Sequence, residues 1–125
     1  TGAAGTGRTF DIGTPAASNV NEVTLSDATL DGATANGLID QYTIPAIAAG
    51  TYTITALVMS ARMQKGASGP AKMDLGVRVA GTDYWSSDFA LDVAWWDYQN
   101  IWATDPNTGL TWAALPTEIG LKSVT

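Results

Sequence analysis

Cysteine and histidine are both absent from the 125 residues of this chain. That excludes disulfides, thiolate nucleophiles, imidazole bases and nearly all zinc chemistry. It does not fix a compartment, because a cysteine-free fold is indifferent to redox state. Basic residues are also scarce: 6 lysines and arginines stand against 12 acidic residues, for a net charge of -6. A chain with that balance repels phosphate backbones and anionic lipid, so no nucleic-acid partner is expected. No run approaches the ~20 apolar residues of a membrane span, so no membrane insertion is expected. The opening residues, TGAAGTGRTF, contain no apolar core of a signal peptide, and the expectation is a soluble chain that no cleaved signal exports. Neither a glycine loop followed by lysine and serine or threonine, nor a GxSxG elbow, occurs.

What remains is rich in turn formers and strand formers. The chain has 13 glycines and 5 prolines among many threonines, valines and alanines, and turn signals recur about every 8–12 residues with no long helical pattern between them. This predicts an all-β fold: a single-domain antiparallel β-sandwich, jelly-roll-like. The length suits one domain. Residues 1–18 carry almost no apolar anchor except Phe10 and Ile12, which predicts a flexible N-terminal arm ahead of a sandwich domain over 19–125.

The clearest strand is TYTITALVMSARMQ, 51–64. Its first half alternates strictly and its second half is apolar on both faces. After the turn KGASGP comes AKMDLGVRVAG, where Met73, Leu75, Val77 and Val79 share one face and Lys72, Asp74, Gly76 and Arg78 the other. The two segments, 51–64 and 71–80, are expected to pair as a hairpin with one face on a core. AGTD turns the chain again at 80–83. NVNEVTL (19–25) and LIDQYTI (38–44) are further strands, as are YQNIWAT (98–104) and IGLKSV (119–124), and TWAALPTE could close one helical turn before Pro116 limits it.

The candidates for chemistry are few. Asp105, Asn107 and Gly109 in DPNTG place oxygens at alternate positions as a calcium loop does, but glycine already occupies the fifth position, where a ligand is needed. A structural turn explains the same residues. Asp83, Asp88, Asp92 and Asp97 could supply the carboxylate pair of a glycosidase, yet nothing in their spacing selects a pair, and solvated aspartates are the default. Lys72 and Lys122 lie in alternating strands and are expected to face water. No catalytic, cofactor or metal residue is assigned, and the expected protein is not an enzyme.

All five tryptophans fall within residues 83–112. Trp85, Trp95 and Trp96 are the candidate partner or glycan contacts, since tryptophan offers large rigid area at low entropic cost. Neighbours in a strand cannot face one side, so one of Trp95 and Trp96 should be core and the other surface.

ARMQKGASGPAKMDLGVRVAGTDY, then YQNIWATDPNTGLTW, then IGLKSV resemble a recurring β-sandwich module of tailed-phage and prophage virion structural proteins. The ordered features are Tyr98, Ile101 and Trp102, Asp105, Pro106, Thr108 and Gly109, and Trp112, over a little more than half the chain. Ala103 and Thr104 depart from the glutamate and threonine common in that pattern. The resemblance implies packing roles for Tyr98, Trp102 and Trp112 and a turn role for Asp105 to Gly109, including Pro106. It brings no catalytic residue and no cofactor.

The expectation is therefore a noncatalytic virion structural protein, a capsid decoration (cement) protein or a head or tail fibre module, made in the host cytoplasm. Its expected partners are itself, as a homotrimer, and capsid or tail proteins, held by many small contacts. The alternative is a carbohydrate-binding or receptor-binding module that reads host-surface glycan through exposed tryptophans. A third reading, an enzyme on cell-wall sugar, requires two close carboxyls, one with a raised pKa.

Overall fold

A computed structural model describes residues 4–8, 32–44 and 52–125. These form eight strands: β1 (Ala4–Arg8), β2 (Ile39–Thr43), β3 (Leu57–Met63), β4 (Lys72–Val79), β5 (Thr82–Trp85), β6 (Phe89–Ala90), β7 (Trp96–Trp102) and β8 (Glu118–Val124). The fold is all-β and antiparallel. Six strands make one sheet in the order β1-β2-β8-β4-β5, with β6 also pairing β4, and β3 and β7 make a second. Among the described residues there is no helix: the segment expected to close a helical turn, 111–118, instead passes through bends at 113, 114 and 117 into β8, Thr117 donating its N–H to the Arg78 carbonyl at 2.9 Å.

Period-two alternation explains how the two sheets stack. In β3 the odd positions Met59 and Met63 are buried and the even positions exposed. In the large sheet Leu75 stands opposite Leu121, and Val77 opposite Ile119, so these four share one face. Met59, Met63, Met73 and Leu75 form the buried centre, with Ala61, Tyr98 and Trp102 packed on it from the small sheet and Ile119 and Leu121 from the large one. Unbranched methionines suit a layer where side chains from two different sheets must mesh.

The expected hairpin of 51–64 with 71–80 is not formed. β3 pairs with β7 from Leu57↔Trp102 to Met63↔Trp96, while β4 pairs with β8, β5 and β6. The turn at 65–70 carries the chain from one sheet to the other, so the apolar faces of β3 and β4 meet across the core instead of lying side by side. Alternation fixes which face is buried but not which neighbour supplies the hydrogen bonds. The strand itself is also shorter: among the described residues of 52–56 the only ladder contact is the bridge Ile54↔Trp112.

Residues 4–8, expected within the arm, form β1 on the edge of the large sheet, ordered by backbone pairing with β2. The rest of the expected arm, the boundary near 18 and the strand expected at 19–25 lie outside the described residues. The turn at 80–83 is tight: Ala80 and Gly81 both have positive φ, 50° and 82°, the pairing of central residues that joins two right-twisted strands through a two-residue loop.

Candidate binding surface

The middle of the large sheet's outer face is polar in sequence but largely covered. Across four strands one row reads Gln41, Gly120, Gly76, Trp85. The Trp85 ring lies over Gly76, where a Cβ would overlap it, and reaches to 3.5 Å from the Cβ position of Gly120. Two adjacent glycines thus make a shelf for one indole. Lys122 sits with its Nζ 5.1 Å from the Trp85 ring centroid and 2.7 Å from Asp74 Oδ2, a cation held between an aromatic face and a buried carboxylate. On the other flank Asp83 Oδ1 accepts from Arg78 Nη1 at 2.6 Å and from Gln41 Nε2 at 2.8 Å.

Lys122 therefore does not face water as expected. It is half-buried, because Trp85 and Asp74 flank it. Lys72 does reach the surface, where it pairs with Asp88 at 3.2 Å. Trp85, a candidate partner contact, is half-buried over the shelf.

The outer face of the small sheet is the reverse: exposed, with apolar residues on it. Its outward rows are Val58 with Ile101, Ser60 with Gln99, and Arg62 with Asp97. Val58 is 54% exposed and Ile101 63%. Gln99 Nε2 donates to Ser60 Oγ at 2.8 Å, and Arg62 lies 3.9 Å from Asp97 Oδ1 with its Cζ 5.9 Å from the Trp95 ring centroid. Neither Trp95 nor Trp96 joins the buried centre, although one of them was expected to. Trp95 is half-buried under Arg62. Trp96 shares the ladder side of Met63, but the core stops there, and the residue is 58% exposed.

Beside Trp96 lies an open depression of about 380 Å³, lined by Ala90, Leu91, Asp92, Trp96, Asp97 and Tyr98. The loop 91–95 holds its shape through its own polar groups. Asp92 donates its N–H to Tyr98 Oη at 3.0 Å, its carbonyl accepts from Lys65 N at 2.7 Å, and its Oδ1 accepts from Ala94 N at 2.9 Å. Tyr98 is fixed from below by an edge-to-face contact with Phe89, ring centroids 5.8 Å apart.

The remaining singled-out residues serve the scaffold. Trp112 is buried, its Nε1 donating to the Trp102 carbonyl at 3.0 Å, and Trp102 packs on the central cluster. At 105–109, Asp105 Oδ1 accepts from Asn107 N at 2.8 Å and its carbonyl from Gly109 N at 2.7 Å, with half-buried Pro106 between and Gly109 at φ 74°. The Asp105 carboxylate is thus engaged in closing the turn, and among the described residues no group of three or more acidic side chains is placed to hold a metal.

Sequence reasoning missed Arg62, Gly76, Gly120 and the Lys122–Asp74 pair. A signal for Gly76 did exist: a two-residue turn at Ala80 and Gly81 sets Val79 opposite Thr82, and three steps back along each strand bring Gly76 opposite Trp85. Compared with known proteins, the chain matches no family model, no curated protein and no solved structure.

Proposed function

We propose that this chain is a noncatalytic virion structural protein, a capsid decoration or fibre module that assembles as a homotrimer on capsid or tail proteins. The observation that carries the reading is the outward Val58–Ile101 pair on the small sheet, exposed where a lone domain gains nothing from apolar side chains. Among the described residues neither β3 nor β7 has a second strand neighbour, so the ladder packed on the large sheet has both of its edges open to a further strand or chain. A second copy laid on that face supplies the cover, and repetition over a symmetric particle turns small contacts into firm attachment. The resemblance of residues 56–124 to tailed-phage structural modules supports the same assignment.

Light scattering on the chain and on a Val58→Ser, Ile101→Ser double variant tests it. A trimer mass that falls to a monomer in the variant is expected, whereas a monomer in both, at concentrations well above micromolar, removes the assembly reading.

A second reading is favoured by one feature alone, the exposure of Trp96 on the rim of an open depression. We infer from it that the module also adheres to carbohydrate, as a receptor-binding surface would.

A further inference from the structure

We propose that copies of this chain assemble around an axis that runs along β3 and β7, so that Arg62 of each copy meets Asp97 of the next and the charged row closes into a ring. This rests on the reading that a second copy covers the small sheet, and goes further, to the orientation of the copies and the pair that sets it.

The face has two unlike flanks. β3 contributes Val58, Ser60 and Arg62, β7 contributes Ile101, Gln99 and Asp97, and all six are exposed. Row by row the flanks match: two aliphatic side chains, a hydroxyl and an amide, a cation and an anion. Rotation about an axis parallel to the strands keeps every residue at its own height and brings the β3 flank of one copy against the β7 flank of its neighbour. Each row then meets its complement. A two-fold axis across the strands reverses one copy end to end, so full overlap lays the charged row on the apolar row, where a covered charge has no new partner. Charge complementarity therefore selects the first arrangement.

Within one chain the ion pair is loose. Arg62 Nη1 lies 3.9 Å from Asp97 Oδ1, and the Asp97 side chain is 68% exposed. Trp95 lies under the guanidinium, 5.9 Å from Cζ to the ring centroid, and keeps it over the face. A guanidinium carries five donors in a fork, enough to hold the carboxylate of its own chain and that of the next copy at once. In a trimer six such groups alternate in sign around the axis, each charge between two opposite ones. An isolated exposed pair contributes little, whereas a closed network contributes more. Val58 and Ile101 supply apolar contact at the other end of the same face, and all copies point the same way along the axis.

The chain has no cysteine, so introduced thiols report position directly. Ser60→Cys and Gln99→Cys leave both charges in place, and a disulfide closes only where two Cα atoms come within about 7 Å. Mixed in a glutathione redox buffer, the two variants should join to each other through positions 60 and 99, and neither should cross-link with itself. In light scattering, Asp97→Arg should weaken assembly about tenfold or more, and adding Arg62→Asp, which restores opposite signs on the two flanks, should recover it. Denaturant unfolding at dissociating concentrations separates loss of assembly from loss of fold. Self-linking of either variant, or an assembly in which positions 60 and 99 do not join, overturns this orientation while the assembly reading stands. Assembly indifferent to Asp97→Arg overturns the ring of ion pairs. A parent chain that stays monomeric well above micromolar concentration overturns both readings.

Discussion

The two sheets treat polarity in opposite ways. The middle of β4 is buried on both faces, Asp74 and Gly76 as fully as Leu75 and Val77, while β3 alternates between buried and exposed and puts Val58 in solvent. A polar side chain in the centre of a sheet needs a partner close by: Asp74 Oδ2 has Lys122, while its buried Oδ1 meets no donor among the described residues, and Arg78 has Asp83. A ladder of two strands has no such interior, and its outward residues are answerable to a partner rather than to the fold. The contrast teaches that polar alternation marks a face of a strand, and that only the neighbouring strands decide whether that face meets water.

The sharpest way to break this contrast is at the buried charge. Lys122→Met leaves the Asp74 carboxylate without its cation, and because Lys122 keeps some solvent contact the expected loss is about 2–3 kcal/mol, at or below the roughly 3–5 of a fully enclosed pair. Denaturant unfolding measures it, and adding Asp74→Leu should recover most of the loss, since an apolar pair of similar volume needs no compensation. Next in size is the shelf. Gly76→Ala forces the Trp85 ring off its seat at a cost of about 1–3 kcal/mol, and a double-mutant cycle with Trp85→Ala should show that most of this cost disappears once the ring is gone. Equal loss in both backgrounds would place the role of Gly76 in the backbone instead. The smallest effect belongs to the small sheet: measured at concentrations low enough that the parent is also dissociated, the Val58→Ser, Ile101→Ser variant should unfold within about 1 kcal/mol of it, as exposed substitutions do.

The inward face of β4 was legible residue by residue, while β3 read as apolar on both sides and its inward side was not. Met73, Leu75 and Val77 announced one side of β4, the β-class followed from the turn spacing, and the DPNTG turn followed from its backbone chemistry. Partner choice was not legible, because β3 meets β7 and β4 meets β8 across some forty residues of chain, a separation over which local pattern carries no information. Lys122 and Asp74 read as a solvated face for the same reason, since nothing near either residue in sequence reveals the other or the indole beside them. Of the candidate contacts, Trp96 could be named as surface or core but not decided. Its exposure depends on where the core ends, at Met63, and that limit is a property of the packed layers.

The position of β8 governs the order in which this protein can fold. It lies between β2 and β4, bonded to strands that start some eighty and forty-five residues before it. During synthesis at about 5–20 residues per second, β2 waits several seconds for the strand that anchors it, and although β4 and β5 can close as a local hairpin, β2 joins them only through β8. High contact order of this kind slows closure. Until residues 118–124 have left the ribosome the two halves of the large sheet have no common strand, so the unfinished chain presents open edges that a chaperone or a premature neighbour can occupy.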